Sequence, residues 1–72
     1  MKNWIKVERA KKNMSQEALA KALKVSKYSI NGIEAERYTP SAEVALRIAR
    51  YFNVKAEEIF FLEPEEYYLE RS

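Results

Sequence analysis

The sequence predicts an all-α fold of five short helices, with a helix-turn-helix formed by the second and third. Three observations predict it. Apolar residues recur at helical spacing in Leu19 and Leu23, in Ile30 and Ile33, and in Ala45, Ile48, Ala49 and Phe52. A capping residue precedes each of the first four segments, at Asn3, Ser15, Ser26 and Ser41. The connections are only a few residues long, so successive helices must be neighbours.

The first helix is expected over residues 3–12, capped by Asn3, with Trp4, Ile5, Val7 and Ala10 as its apolar anchors. Asn13 ends it, because asparagine tolerates left-handed backbone. Ser15 caps the second helix, and Glu17 in its first turn complements the helix dipole. Leu19 and Leu23 stand one turn apart, with Ala20 beside them small enough to let two backbones cross closely. This helix ends near Leu23, and Lys24 takes the sharp turn. Val25 lies in the turn, and Ser26 caps the third helix, which runs to about Glu34. Ile30 and Ile33 form its buried face, which leaves Lys27, Tyr28, Asn31 and Gly32 as a short polar face for a partner.

Residues 35–39 are a loop. Pro40 ends it, Ser41 caps the fourth helix, and Glu43 sits in the first turn. Ala45, Ile48, Ala49 and Phe52 make the buried face, Asn53 closes the helix, and Val54 plugs the core. A short fifth helix covers residues 56–60, with Glu57 and Glu58 at its start. The chain divides into a domain of residues 1–62 and an acidic, aromatic tail of residues 63–72, either a frayed end or an interaction element.

Composition narrows the function. With 72 residues the chain is one small domain with a modest core. It has no Cys, so no disulfide and no thiolate metal site, and no His, the commonest general base and metal ligand. Asp and a glycine-rich loop are absent too, so no catalytic residue, metal or cofactor is expected and the chain reads as a non-enzyme. The charged N-terminus argues against a signal peptide or membrane span, and a cytoplasmic location is expected. Every acid is Glu and Lys is abundant, a bias resembling that of proteins from hot environments. Up to Pro40, nine basic residues face four acids, a net +5, whereas the remainder carries −3. A basic half that contains the two-helix unit suits a polyanion.

Residues 3–60 resemble the phage repressor and Cro type of helix-turn-helix domain, the xenobiotic-response-element family. The resemblance is carried by Ser15-Gln16-Glu17-x-Leu19-Ala20, by Val25-Ser26-Lys27, and by Ile30-x-x-Ile33-Glu34. It continues in Tyr38-x-Pro40-Ser41, in Ala45-x-x-Ile48-Ala49-x-x-Phe52-x-Val54, and in Glu57-Glu58-Ile59-Phe60. It implies a lambda-repressor-like fold and binding of double-stranded DNA with the third helix in the major groove. It implies base contacts from Lys27, Tyr28 and Gly32, with Asn31 on the adjoining side. Gln16 is implied as a phosphate contact, and Ser26, Ser29, Arg37, Tyr38 and Thr39 are further phosphate candidates. Arg9 and Glu34 resemble a structural ion pair between the first and third helices.

Three features depart from the family. Lys24 stands where Gly is usual, at a strain of roughly 1 kcal/mol in left-handed backbone. Ala35-Glu36 replaces Asn-Gly, which removes a polar contact and adds a negative charge near the phosphate path. Gly32 lies inside the recognition helix, where Gly costs about 1 kcal/mol against Ala.

The expected function is a sequence-specific transcriptional regulator, a repressor, binding an inverted repeat as a homodimer. Phe60, Phe61 and Leu62, with Tyr67, Tyr68 and Leu69 of the tail, are expected at the dimer interface. The alternative is an antitoxin or adaptor acting mainly through a partner protein, with the tail as its docking element.

Overall fold

The computed structural model describes residues 1–68, with side chains up to Glu66. In chain order it contains β1 (Lys2–Asn3), α1 (Ile5–Lys11), α2 (Gln16–Leu23), α3 (Lys27–Glu34), α4 (Ala42–Phe52), α5 (Ala56–Ile59), β2 (Phe60–Phe61) and α6 (Pro64–Tyr68). Among the described residues the architecture is all-α apart from one short ribbon of two-residue strands.

Three helices begin on serine caps. Ser15 Oγ accepts from the Ala18 N–H at 3.0 Å, Ser26 Oγ from Ser29 at 3.0 Å, and Ser41 Oγ from Val44 at 3.2 Å. Each cap satisfies a donor that the helix leaves unpaired and contributes about 1 kcal/mol. Asn13, Lys24 and Asn53 turn the chain out of α1, α2 and α4 in left-handed backbone, with φ of 55°, 60° and 59°. After the Lys24 turn, the Val25 N–H returns to the Ala20 carbonyl at 3.0 Å, which closes the end of α2 and sets the angle at which α3 departs.

The core is one cluster: Ile5, Leu19, Ala20, Leu23, Ile30, Ile33, Ile48, Ala49, Phe52, Ile59 and Phe60. Each helix from α1 to α5 supplies at least one member, so none can hold its place without the others. Burying one Leu, Ile or Phe contributes roughly 1.5–3 kcal/mol, far above the few tenths of helix propensity in segments this short.

Three expectations are corrected at the ends of the chain. The first helix starts at Ile5 rather than at residue 3, because Asn3 is in a strand; its carboxamide oxygen still accepts the Ile5 N–H, at 3.2 Å. The fifth helix stops at Ile59, and Phe60 is extended. The cause of both is the antiparallel ribbon, in which Lys2 pairs with Phe61 and Asn3 with Phe60. Phe60 is a core residue, so its assignment to a dimer surface is corrected: the ribbon turns its ring inward. The described part of the tail forms α6, over Pro64–Tyr68. The Glu66 carboxylate accepts the Glu63 N–H at 2.6 Å at the start of α6, and the Met1 ammonium approaches Glu66 at 3.4 Å. The interface residues Tyr67, Tyr68 and Leu69 lie outside the described side chains.

Candidate nucleic-acid interface

A short helix can present a fixed face only if its other faces are held. On α3 the apolar hold is Ile30 and Ile33, both buried. A polar hold runs beside it. Arg9 of α1 donates from Nε to Glu34 Oε2 at 2.6 Å and from Nη2 to Glu34 Oε1 at 2.9 Å. The third arm of this guanidinium, Nη1, donates to the Met14 carbonyl at 2.7 Å. The expected ion pair is therefore a bidentate fork, with side chains only 13% and 7% exposed. The bond to Glu34 raises the Arg9 pKa further above its already high value, against the opposing effect of burial.

The network extends beyond the pair. Gln16, the first residue of α2, donates from Nε2 to Glu34 Oε1 at 3.1 Å. Its Oε1 accepts from Asn31 Nδ2 at 3.2 Å, and Asn31 Oδ1 accepts from Arg37 in the loop after α3. One chain of bonds thus joins α1, α2, α3 and that loop. Gln16 and Asn31 are placed side by side by it, and each is oriented by a partner behind it. Lys6, absent from the expected site, lines the same polar hollow as Gln16 and Asn31. It stands three residues before Arg9 on α1, and that spacing is the signal that could have drawn attention to it.

In front of this hold, Lys27 and Tyr28 are free. Lys27 is exposed and Tyr28 is 85% exposed in the first turn of α3. Ser26 is occupied as a cap, with its Oγ also 3.0 Å from Ser29 Oγ. Arg37 and Thr39 are exposed on the following loop.

Gly32 lies one turn beyond Tyr28 on α3 but, unlike Lys27 and Tyr28, it is not exposed. It is buried under Tyr38, whose Cε2, Cζ and hydroxyl fill the space where a Cβ on Gly32 would project. The base contact expected of Gly32 is corrected to a packing role, because the ring covers the backbone that would have approached a base. Tyr38 is held there by its hydroxyl, which donates to the Tyr28 carbonyl at 2.9 Å.

Residues 5–59 match the helix-turn-helix family. A Methanocaldococcus jannaschii protein described as an HTH-type transcriptional regulator is 48% identical over 66 residues, 92% of this chain and 100% of that one. An Archaeoglobus fulgidus protein with the same description is 45% identical over 71 residues, 99% of this chain and 100% of its own length. A Bacillus subtilis relative, again described as an HTH-type transcriptional regulator, is 40% identical over 65 residues, 90% of this chain and 98% of that one. This chain belongs to the helix-turn-helix family of the phage repressor and Cro type.

Within that family its departures now have geometry. Lys24 adopts φ 60° and ψ 43°, the left-handed turn for which glycine is usual. Glu36 is left-handed as well, at φ 62°, and its N–H bonds the Ile33 carbonyl at 3.0 Å. The helix-turn-helix therefore makes both of its left-handed turns with charged residues, and its one glycine serves a different purpose. Among the described residues, no helix is long and apolar enough to cross a membrane.

Proposed function

We propose that this helix-turn-helix protein is a transcriptional regulator that binds double-stranded DNA sequence-specifically, as a homodimer on an inverted repeat, and acts as a repressor. The observation that carries the reading is the exposed first turn of α3, with Lys27 and Tyr28 free, on a helix locked from behind by Arg9, Glu34 and Gln16. A helix presented in this way enters the major groove, about 12 Å wide, by its N-terminal turn. The descriptions of the three relatives support a role in transcription.

In this reading Lys27 donates to guanine O6 and N7, Tyr28 packs on a thymine methyl, and Asn31 bonds an adenine or a backbone oxygen. Gln16, Ser26, Ser29, Arg37 and Thr39 line the phosphates and set the register. Residues 1–62 carry this binding. The dimer forms through Leu62, 48% exposed, and the half-buried Phe61, and continues into Tyr67, Tyr68 and Leu69 of the tail. Trp4, 52% exposed, meets Phe61 edge to face at 5.6 Å and widens that apolar surface. Occupying a promoter blocks polymerase, hence repression, and places the protein in the cytoplasm.

The test is selection from a randomised duplex pool at near-physiological salt, with sequencing of the retained DNA. The expected result is an inverted repeat with half-sites about 34 Å apart. Gln16→Ala should then weaken all duplexes alike, whereas Lys27→Ala should change the preferred sequence. A retained pool without a motif would leave phosphate-driven binding alone. No retention would favour the antitoxin or adaptor reading, with residues 63–72 as the docking element.

A further inference from the structure

Tyr28 and Gly32 stand four residues apart on α3, one above the other on the same strip of the helix. At Gly32 that strip has no side chain. The space where one would project is filled from the loop, by Cε2, Cζ and the hydroxyl of Tyr38. We propose that Tyr38 is a base-reading, specificity-determining residue that supplies position 32 of the recognition face and contacts the 5-methyl group of a thymine. This rests on the DNA-binding reading above and adds a second aromatic reader to it, carried by a loop rather than by the helix.

Two features select this chemistry over a phosphate contact. A phenol has one proton to donate, and that of Tyr38 is committed to the Tyr28 carbonyl at 2.9 Å. What remains for DNA is the ring, and Tyr38 is 48% exposed. An aromatic surface on the groove-facing strip discriminates by apolar contact, and in the major groove the apolar feature is the thymine methyl. Gly32 is the enabling partner. With any larger residue there, the ring would have to leave the strip. The helix tolerates its least favourable residue other than proline at this position because the ring occupies the space.

The experiment uses the full chain and the duplex selected by it. Each thymine is replaced singly by uracil, which removes only the methyl group. At one thymine per half-site, uracil is expected to weaken binding of the unaltered protein about fourfold, the worth of one buried methyl-sized group. Tyr38→Ala, confirmed folded by its thermal transition, is expected to bind the thymine and uracil duplexes equally at that position. Gly32→Ala leaves Tyr38 chemically intact but displaces its ring, and it is expected to lose sensitivity at the same thymine. Tyr38→Phe keeps the ring and is expected to retain part of it. Identical uracil profiles for the unaltered protein and Tyr38→Ala would overturn the proposal. So would Tyr38→Ala weakening every duplex alike, the mark of a contact to the DNA backbone rather than to a base. A pool from which the unaltered protein selects no motif would refute the DNA-reading function itself, whereas a clear motif without a Tyr38-dependent thymine would refute only the role of Tyr38.

Discussion

The side-chain amide of Asn3 donates to the main-chain carbonyl of Ile33 at 2.9 Å, across thirty residues of sequence. Ile33 is in the last turn of α3, where carbonyls have no partner within the helix. The ribbon at the chain ends is thereby fastened to the end of the recognition helix. Asn3→Ala removes this bond and the one from its Oδ1 to the Ile5 N–H. A loss of about 1–2 kcal/mol in chemical denaturation is expected, together with faster amide exchange at the end of α3.

Arg9 and Glu34 form the inner anchor of the same helix. Replacing one partner leaves a nearly buried charge alone, so Arg9→Met or Glu34→Gln should each cost about 3 kcal/mol. The double replacement should cost less than the sum of the two. Urea unfolding of the four proteins in a double-mutant cycle measures the difference. Strict additivity would mean that the two side chains act independently, against the bidentate geometry.

Lys24 holds left-handed backbone at a steric cost that glycine avoids. Lys24→Gly should therefore raise stability by up to about 0.5 kcal/mol, the strain relieved less the extra freedom gained by the unfolded chain. Thermal unfolding at fixed protein concentration reads this directly. Ala in the same place keeps the strain and should bring no gain.

Glu66 titrates below its ordinary value of 4.5, first because the Glu63 N–H bonds its carboxylate and then because the Met1 ammonium lies close, with burial opposing both. A carboxylate with a depressed folded-state pKa contributes stability that is present at neutral pH. That contribution is lost as pH falls through the depressed value. The start of α6 should therefore loosen only on acidification below the usual carboxylate range. The amide resonance of Glu63, followed by NMR, should report this transition, and Glu66→Gln should abolish it.

The helices that build the site were legible because their signals are local. A serine cap, an acid in the first turn and an apolar pair one turn apart all fall within about eight residues, and α2, α3 and α4 carry each of these except for the acid in α3. The ribbon was not legible: two residues cannot show a period, and Asn3 and Phe60 are brought together by the tertiary fold alone. Phe60-Phe61 at the edge of the domain read as surface for the same reason. The Arg9–Glu34 pair was recognisable by resemblance, but its extension through Gln16 and Asn31 to Arg37 depends on how three helices meet. Gly32 carried a visible anomaly, a helix-weakening residue in a helix. Its cause, Tyr38, lies beyond a left-handed turn that spacing does not describe.

The chain has one glycine, and it is in a helix, while the left-handed turns at Asn13, Lys24, Glu36 and Asn53 all use residues with a Cβ. The unfolded ensemble is correspondingly poor in freely rotating links, so fewer conformations are surrendered when the chain folds. That saving is entropic and grows in proportion to absolute temperature, whereas steric strain at Lys24 and Glu36 is nearly constant. The fold is accordingly penalised least for its strained turns when it is warm, and a version rebuilt with glycine turns would lose part of its advantage on heating.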